Sequence, residues 1–267
     1  VKYGQIIGFA KADIEPGDWV HTHNVVLKAV GRDYGFCEEM TELPPLEGDK
    51  DSFLGYARPG GRAGTRNYIA VLSSVNCSAS VARYVADHFR SSDFKSDFAN
   101  VDGVVAFTHK GGCSYDPNHG HEVLQRVIAG MARHPNIGGY VLVGLGCEVN
   151  QVPGLVEKHH LDQLQDGEQA PTFLTIQQTG GVRKTVESAV KAVEEMLPKI
   201  SAAKRTMQPV GKLALAMNCG GSDANSGISA NPALGVASDE LVRQGAASVF
   251  GETTEIYGAE HLLTRRA

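Results

Sequence analysis

The segment Tyr68-Ile69-Ala70-Val71-Leu72 (YIAVL) is an unbroken run of apolar residues. Such a run, without polar alternation, is typical of a strand buried on both faces, as in a parallel sheet. Similar runs recur along the chain, separated by segments with helical apolar spacing. They predict further strands at 101–107, 139–143 and 172–176, and helices at about 78–90, 121–133, 151–158 and 181–197. The alternation predicts an α/β fold, a three-layer parallel sheet with flanking helices.

Shorter regions flank this segment. Short alternating stretches before residue 36 predict a partial small β domain that precedes the sheet. Beyond residue 210, a strand at 213–217, a helix at about 232–244 and a strand at 246–250 predict another α/β unit. The predicted organisation is a partial small β domain at 1–36, a linker at 37–53, a central α/β domain at 54–200, a second linker at 198–210, and the beginning of a third, truncated α/β domain at 211–267.

Composition narrows the class of protein. The chain has 267 residues, of which 42% are hydrophobic, and a formal net charge of −5, so we expect a globular protein without a nucleic-acid partner. No apolar run is long enough for a transmembrane helix, and no secretory pattern opens the chain. Five cysteines, an odd number, favour reduced thiols and a cytoplasmic location over a disulfide framework. The expected partner is a small molecule, and a homo-oligomer is compatible with this composition.

Three cysteines follow three predicted strands of the central sheet. Cys77, Cys113 and Cys147 each stand in the loop that leaves a strand, and Cys219 repeats this position later in the chain. The carboxyl ends of parallel strands form the ligand crevice of an open sheet, so these thiols should share one edge. Thiolates bind soft or borderline metals. The alternative is that each cysteine packs as a small apolar side chain.

Two histidines form a second candidate metal site. His21 and His23 lie two residues apart in a predicted strand, where such residues point to the same side. This predicts a pair of imidazole ligands, with two solvated histidines as the alternative. Another such pair, His119 and His121, precedes a predicted helix, so a capping or turn role is at least as well supported there.

Charged and polar residues supply the remaining candidates. The glycine- and arginine-rich loop 55–67 contains Arg62 and Arg66, whose guanidinium groups can bind a carboxylate in bidentate fashion. It lacks the Lys-Ser/Thr ending of a phosphate loop. Proton-transfer candidates stand at the strand ends, where a crevice can tune their pKa values: His109, Lys110 and Glu148.

Four segments, taken in order, resemble the altronate/galactarate dehydratase family. They are His21-Thr22-His23-Asn24, Gly55 to Asn67, His134 to Gln151, and Cys219 to Gly235. The stretch from Glu255 to Leu263 is closer to the altronate branch. The resemblance spans nearly the whole chain and implies a small N-terminal domain of the SAF type that carries the histidine pair, a central α/β domain and a larger C-terminal domain.

The resemblance also implies an activity, the conversion of aldonates or aldarates to 2-keto-3-deoxy acids with a divalent metal. The metal is expected to be Fe2+, with Mn2+ or an iron–sulfur cluster as alternatives. We expect Arg62, Arg66, Asn67 and Asn150 to bind the sugar acid, with a base among His109, Glu148 and Lys110. Either His21 with His23 or the three cysteines would hold the metal. A galactarate dehydratase and a non-catalytic sugar-acid binding module remain the alternative functions.

Overall fold

The computed structural model describes residues 4–114, 116, 118–163, 169–218, 220 and 225–266. The prediction made for Cys219 lies outside these residues. The chain divides into two compact units. The central unit is Asp51–Lys212, and the split unit consists of Val1–Lys50 together with Leu213–Ala267.

The regular elements are numbered in chain order. The strands are β1 (Phe9–Ala10), β2 (Val25–Val26), β3 (Ser52–Ala57), β4 (Ala63–Gly64), β5 (Tyr68–Ser73), β6 (Gly103–Phe107), β7 (Ile137–Gly144), β8 (Thr172–Thr175), β9 (Arg205–Pro209), β10 (Ala214–Met217) and β11 (Ala247–Phe250). The helices are α1 (Ala79–Ser91), α2 (His119–Ala132), α3 (Val152–His159), α4 (Ile176–Thr179), α5 (Val182–Ser201), α6 (Ala230–Arg243) and α7 (Glu260–Thr264).

The main sheet of the central unit has the order β6-β5-β7-β8, and all of its strands are parallel. Successive residues of a strand point to opposite faces, so β5 contributes to two cores. Ile69 and Val71 pack in the core formed with α1 and α5, while Ala70 and Leu72 pack in the core formed with α2 and α3. The predicted three-layer α/β fold is confirmed.

Sequence patterns failed where a strand is polar. The second linker, predicted at 198–210, is wrong: α5 runs on to Ser201, and β9 then pairs antiparallel with β3. Apart from Gln208, the side chains of β9 are exposed, so no apolar alternation marks the strand. The loop predicted at 55–67 is also partly regular, because β3 and β4 pair antiparallel within it.

The split unit contains two small sheets. In one, β1 pairs antiparallel with β2, and in the other β10 pairs parallel with β11. Its two chain segments are joined by a backbone hydrogen bond from Glu39 N to Arg265 O (2.8 Å) and by ion pairs of Arg265 with Asp33 and Glu39. The search for a membrane-crossing helix in the described part of the chain found none with the required length and apolar character.

The first prediction concerns the central sheet. Leu142 of β7 is fully buried in the core with α2 and α3, whereas Leu54 of β3 is 58% exposed. We expect Leu142→Ala to lower the free energy of unfolding by about 2–5 kcal/mol, since it removes buried methyl groups and leaves a cavity. The matched variant Leu54→Ala should cost less than about 1 kcal/mol. Urea unfolding followed by circular dichroism measures both, and equal effects would contradict the assigned burial.

Candidate functional site

The carboxyl ends of β5, β6 and β7 bring three cysteine-bearing loops side by side. Cys77 lies in the short 3-10 turn after β5, Cys113 in the loop after β6, and Cys147 in the loop after β7. The backbone of Asn76 donates to Gly111 O (2.9 Å), and the backbone of Val149 donates to Cys113 O (2.9 Å). Hydrogen bonds next to the cysteines thus link the three loops. This surface is called the carboxyl edge below.

The thiols of the carboxyl edge are free, those of Cys77 and Cys147 are exposed, and Cys113 is half-buried. Their chemistry suits a soft or borderline metal. A cluster of three or more His, Cys, Asp or Glu side chains arranged to hold a metal ion is absent from the part of the chain that the structure describes. The donor types therefore fit a metal, but as arranged they do not form a closed site.

The histidine pair lies in a turn, so the predicted strand at this position is wrong. Asn24 Oδ1 accepts from His21 N (2.9 Å), and Asn24 Nδ2 donates to Trp19 O (3.0 Å). These bonds close the turn, and β2 begins only at Val25. Both imidazoles are exposed, and both contact the same indole, with ring centroids 4.6 Å (His21) and 5.6 Å (His23) from that of Trp19. The pair is thus grouped around Trp19 rather than by strand geometry.

Glu148 is buried at the carboxyl edge, with 2% of its surface exposed. Its Oε1 accepts from Ser74 Oγ (2.9 Å) and Leu145 N (2.9 Å), and its Oε2 accepts from Gly146 N (2.5 Å). Burial alone would raise the pKa of Glu148, but hydrogen bonds from the backbone of Gly146, Glu148 and Leu145 and from Ser74 outweigh it and lower the pKa. A carboxylate stabilised in this way is a weak base, and it holds the Cys147 loop in place.

His109 and Lys110 follow β6 at the same edge. His109 Nδ1 accepts from Gly111 N (3.0 Å), which leaves the proton of the neutral ring on Nε2. Nε2 is buried and has no hydrogen-bond partner in the described chain. Burial lowers the pKa of His109, while the backbone of Ser74 and Ser73 opposes this shift. This shift favours the neutral form of the ring. The side chain of Lys110 is exposed.

Asn150 is buried behind these loops, and both the nitrogen and the oxygen of its side-chain amide form hydrogen bonds. Nδ2 donates to Ser74 O (2.9 Å), and Oδ1 accepts from Gln125 Nε2 (3.1 Å) and lies 3.3 Å from His121 Nε2. Sequence reasoning missed Ser74 and Gln125. The available signal for Gln125 was a polar residue on the apolar face of a helix, four residues after His121.

Arg83 was missed as well. Its Nη2 donates to Thr108 Oγ1 (3.2 Å), which adds a guanidinium group to the carboxyl edge. In contrast, Asn118 has the capping role expected near His119 and His121, since its Oδ1 accepts from the backbone N of Gly120 and of His121 at the start of α2.

The arginine-rich segment lies at the other, amino-terminal edge of the sheet. Arg62 Nη1 donates to the carbonyl of Arg133, which follows the last residue of α2. Arg133 Nη2 in turn donates to the carbonyls of His159 and His160 at the end of α3. Helix C-termini carry partial negative charge and unpaired carbonyls, which cations stabilise. These contacts give Arg62 and Arg133 a structural role next to a cavity of about 500 Å³.

Asn67 and Arg66 also belong to the amino edge. Asn67 is fully buried, its Nδ2 donates to Asn100 O (2.8 Å) and Ile200 O (2.9 Å), and its Oδ1 accepts from Arg58 Nη2 (2.7 Å). Arg66 is exposed. At roughly 3.3 Å per residue, β5 separates the two edges by about 20 Å. The structure therefore does not bring Arg62, Arg66 and Asn67 together with His109, Glu148 and the cysteines.

The chain is an α/β protein with an open parallel sheet, a class in which ligands generally bind at the carboxyl ends of the strands. The chain belongs to the D-galactarate dehydratase/altronate hydrolase family. The second-domain model of that family matches residues 55–201, the D-galactarate/altronate dehydratase C-terminal model matches 210–267, and the altronate/galactarate dehydratase SAF-domain model matches 1–28. The resemblance noted in the sequence is thereby confirmed.

Curated relatives agree with this family. The altronate dehydratase of Bacillus subtilis (strain 168) is 34% identical over 100% of this chain and 52% of its own length. The altronate dehydratase of Escherichia coli (strain K12) is 33% identical over 98% of this chain and 51% of its own. The galactarate dehydratase (L-threo-forming) of Escherichia coli (strain K12) is 38% identical over 100% of this chain and 52% of its own length. The chain spans about half the length of the curated relatives it matches.

The second prediction concerns Glu148. Because its pKa is lower in the folded than in the unfolded protein, its stabilising contribution is complete above the unfolded-state pKa and is lost as the pH falls through the folded-state pKa. Glu148→Gln should lower the free energy of unfolding at pH 7 by about 2 kcal/mol, and this deficit should shrink in acid. Glu157→Gln, at an exposed position on α3, is the matched control and should cost less than about 0.5 kcal/mol. Urea unfolding across the acid range measures the difference, and a pH-independent deficit would refute the assignment.

The third prediction uses Trp19, the one tryptophan of the chain. If the neighbouring imidazoles bind a metal ion, Ni2+ should quench its fluorescence in a saturable manner, because both rings contact the indole. His21→Gln and His23→Gln should each weaken Ni2+ binding at least tenfold, while His88→Gln, an exposed histidine on α1, should leave it unchanged. Quenching that is absent, or that survives both substitutions, would remove this pair from the metal-site candidates.

Proposed function

We propose that the protein is a metal-dependent hydro-lyase that converts a sugar acid to a 2-keto-3-deoxy acid. D-altronate is the first candidate substrate and galactarate the second. The observation that carries the proposal is the family match in three successive segments of the chain. The carboxyl edge supports it, because thiols, an imidazole and an ammonium group lie there on adjacent loops.

Dehydration of a 2,3-dihydroxy acid requires removal of the proton at C2 and departure of the C3 hydroxyl as water. The C2–H electron pair forms the C2=C3 double bond as the C3–O bond breaks, and the leaving hydroxide takes up a proton. The resulting enol tautomerises to the 2-keto acid. A bound divalent metal, with Fe2+ expected and Mn2+ or an iron–sulfur cluster as alternatives, would polarise a substrate oxygen.

The buried side chains of the carboxyl edge are proposed to orient the loops. Glu148 and Asn150 are buried and engaged in internal hydrogen bonds, so the proton-transfer role is assigned to the loop that carries His109 and Lys110. To act as a base, His109 would have to expose a lone pair, which its bond to Gly111 N now occupies. Arg83 and Lys110 provide positive charge for the substrate carboxylate at this edge.

The proposed metal ligands are the thiols of Cys77, Cys113 and Cys147, and the alternative is the pair His21 and His23. Thiolates of the carboxyl edge stand next to the proposed proton-transfer loop. The imidazoles lie in the split unit, where Trp19 groups them. Neither set is complete among the described residues, so a metal there would need ligands to rearrange or to be supplied by substrate or water.

The fourth prediction tests the reaction in the full-length protein, purified anaerobically and assayed for 2-keto-3-deoxy acid from D-altronate and galactarate. We expect bound iron and turnover of one of the two acids. Cys147→Ser should lower both the metal content and kcat at least tenfold. Binding of sugar acids without turnover, in protein reconstituted with Fe2+ or Mn2+, would favour the non-catalytic binding module.

Two variants of the loop after β6 assign the proton-transfer group. His109→Asn keeps an acceptor near the Nδ1 position for Gly111 N but removes Nε2, while Lys110→Met removes the ammonium group. Loss of a proton-transfer group lowers kcat roughly 10²- to 10⁴-fold. Nearly full activity of His109→Asn, together with inactive His109→Ala, would show that the imidazole only holds the loop. Full activity of both His109→Asn and Lys110→Met would refute the assignment to this loop.

A further inference from the structure

A chain of polar side chains lies behind the carboxyl edge, on the side of the sheet covered by α2 and α3. It begins at the surface, where Lys158 Nζ donates to Gln125 Oε1 (2.9 Å). Gln125 Nε2 donates to Asn150 Oδ1 (3.1 Å), and Asn150 Nδ2 donates to Ser74 O (2.9 Å). Gln125 and Asn150 are buried, with 7% and 3% of their surfaces exposed, while Lys158 is exposed. The exposed ammonium of Lys158 is thus connected, through two buried amides, to the segments next to two of the cysteines.

The direction of this chain is set at its two ends, by Lys158 and by the carbonyl of Ser74. An ammonium group only donates hydrogen bonds, so the amide oxygen of Gln125 must face it and the amide nitrogen must face inward. That nitrogen requires an acceptor, and Asn150 therefore presents its oxygen to Gln125 and its nitrogen to Ser74 O. If the side-chain amide of Gln125 were flipped, its oxygen would face the Oδ1 of Asn150, and the hydrogen bond between the two buried amides would be lost. The cation at one end and the Ser74 carbonyl at the other therefore fix the orientation of the two buried amides.

The chain joins the loops that carry Cys77 and Cys147. Ser74 follows the last residue of β5, three residues before Cys77, and Asn150 lies three residues after Cys147. The hydroxyl of Ser74 also donates to Glu148 (2.9 Å), so both loops meet at Ser74. Within the described residues, the loop of Cys113 contributes no side chain to this network and is bonded to the other two loops through the backbone carbonyls of Gly111 and Cys113. Disturbing the amide orientation should therefore act directly on the loops of Cys77 and Cys147, and only indirectly, and more weakly, on Cys113.

We propose that Lys158 is a positioning residue, which holds the amide of Gln125 against Asn150 and thereby supports the relative placement of the Cys77 and Cys147 loops. Partners behind the groups that contact a ligand commonly change affinity or activity 10- to 100-fold when they are removed. The catalytic consequence rests on the proposed function, whereas the effect on the thiols does not. A network that merely adds stability would predict a lower unfolding midpoint with no selective effect on two of three cysteines.

The fifth prediction compares Lys158→Met, Lys158→Arg and the control Lys191→Met, which changes an exposed lysine on α5. Native-state alkylation by iodoacetamide, quantified for each cysteine by mass spectrometry, is the primary measurement. We expect Lys158→Met to change the rates at Cys77 and Cys147 about fivefold or more, the size expected for loss of one hydrogen bond, and the rate at Cys113 less than twofold. Lys158→Arg retains a donor and should behave as the unchanged protein does.

The outcomes distinguish a positioning role of Lys158 from a role in stability alone. Alkylation rates in Lys158→Met that equal those of Lys191→Met would overturn it, as would equal changes at all three cysteines with a lower unfolding midpoint, or a failure of Lys158→Arg to restore the rates. In the full-length protein, Lys158→Met should lower kcat about tenfold with KM changed less than twofold. If that protein has no dehydratase activity, the proposed function fails, while the thiol rates still decide the role of Lys158.

Discussion

The parallel alignment of β5, β6 and β7 determines where every candidate side chain lies. In this arrangement the loops that leave the strands emerge at one edge, and the ends of the helices return to the other. The thiols of Cys77, Cys113 and Cys147 therefore share an edge although about 35 residues separate each from the next in sequence. The same alignment assigns Arg62, Arg66 and Asn67 to the opposite edge, whatever their chemistry. Sheet direction, more than residue type, separates the two groups.

The position of the arginines has an electrostatic explanation. Helices that pack on a parallel sheet end near the amino edge, with unpaired carbonyls and the negative end of the helix dipole. Arg62 and Arg133 donate to the carbonyls where α2 and α3 end. A guanidinium group at such a place stabilises the fold without any ligand. An arginine-rich loop beside a sheet is thus as well explained by helix ends as by substrate carboxylates, and the geometry here favours the helix ends.

How much the sequence could predict depends on the type of contact. Apolar runs identified β5 to β8 and the helices between them, because an uninterrupted apolar segment is a clear pattern, and that pattern also placed the cysteines at one edge. Strand β9 escaped notice because its side chains, apart from Gln208, are exposed. The turn at His21 depends on two hydrogen bonds of Asn24, which periodicity does not record. The contacts of Glu148 with Ser74, and of Asn150 with Ser74 and Gln125, join segments that are distant in sequence, so local patterns could not reveal them.

The carboxyl edge divides its polar residues into an exposed group and a buried group. The thiols of Cys77 and Cys147 and the ammonium of Lys110 reach solvent, while Glu148 and Asn150 are enclosed by donors and acceptors. A buried carboxylate without partners would be strongly destabilising, so the backbone N–H groups of Leu145 and Gly146 are committed to it. The loop conformation follows from that commitment, since any other path would leave the carboxylate unsatisfied. The exposed thiol of Cys147 can therefore keep a defined position in a loop, because the buried carboxylate of Glu148 fixes the backbone of that loop.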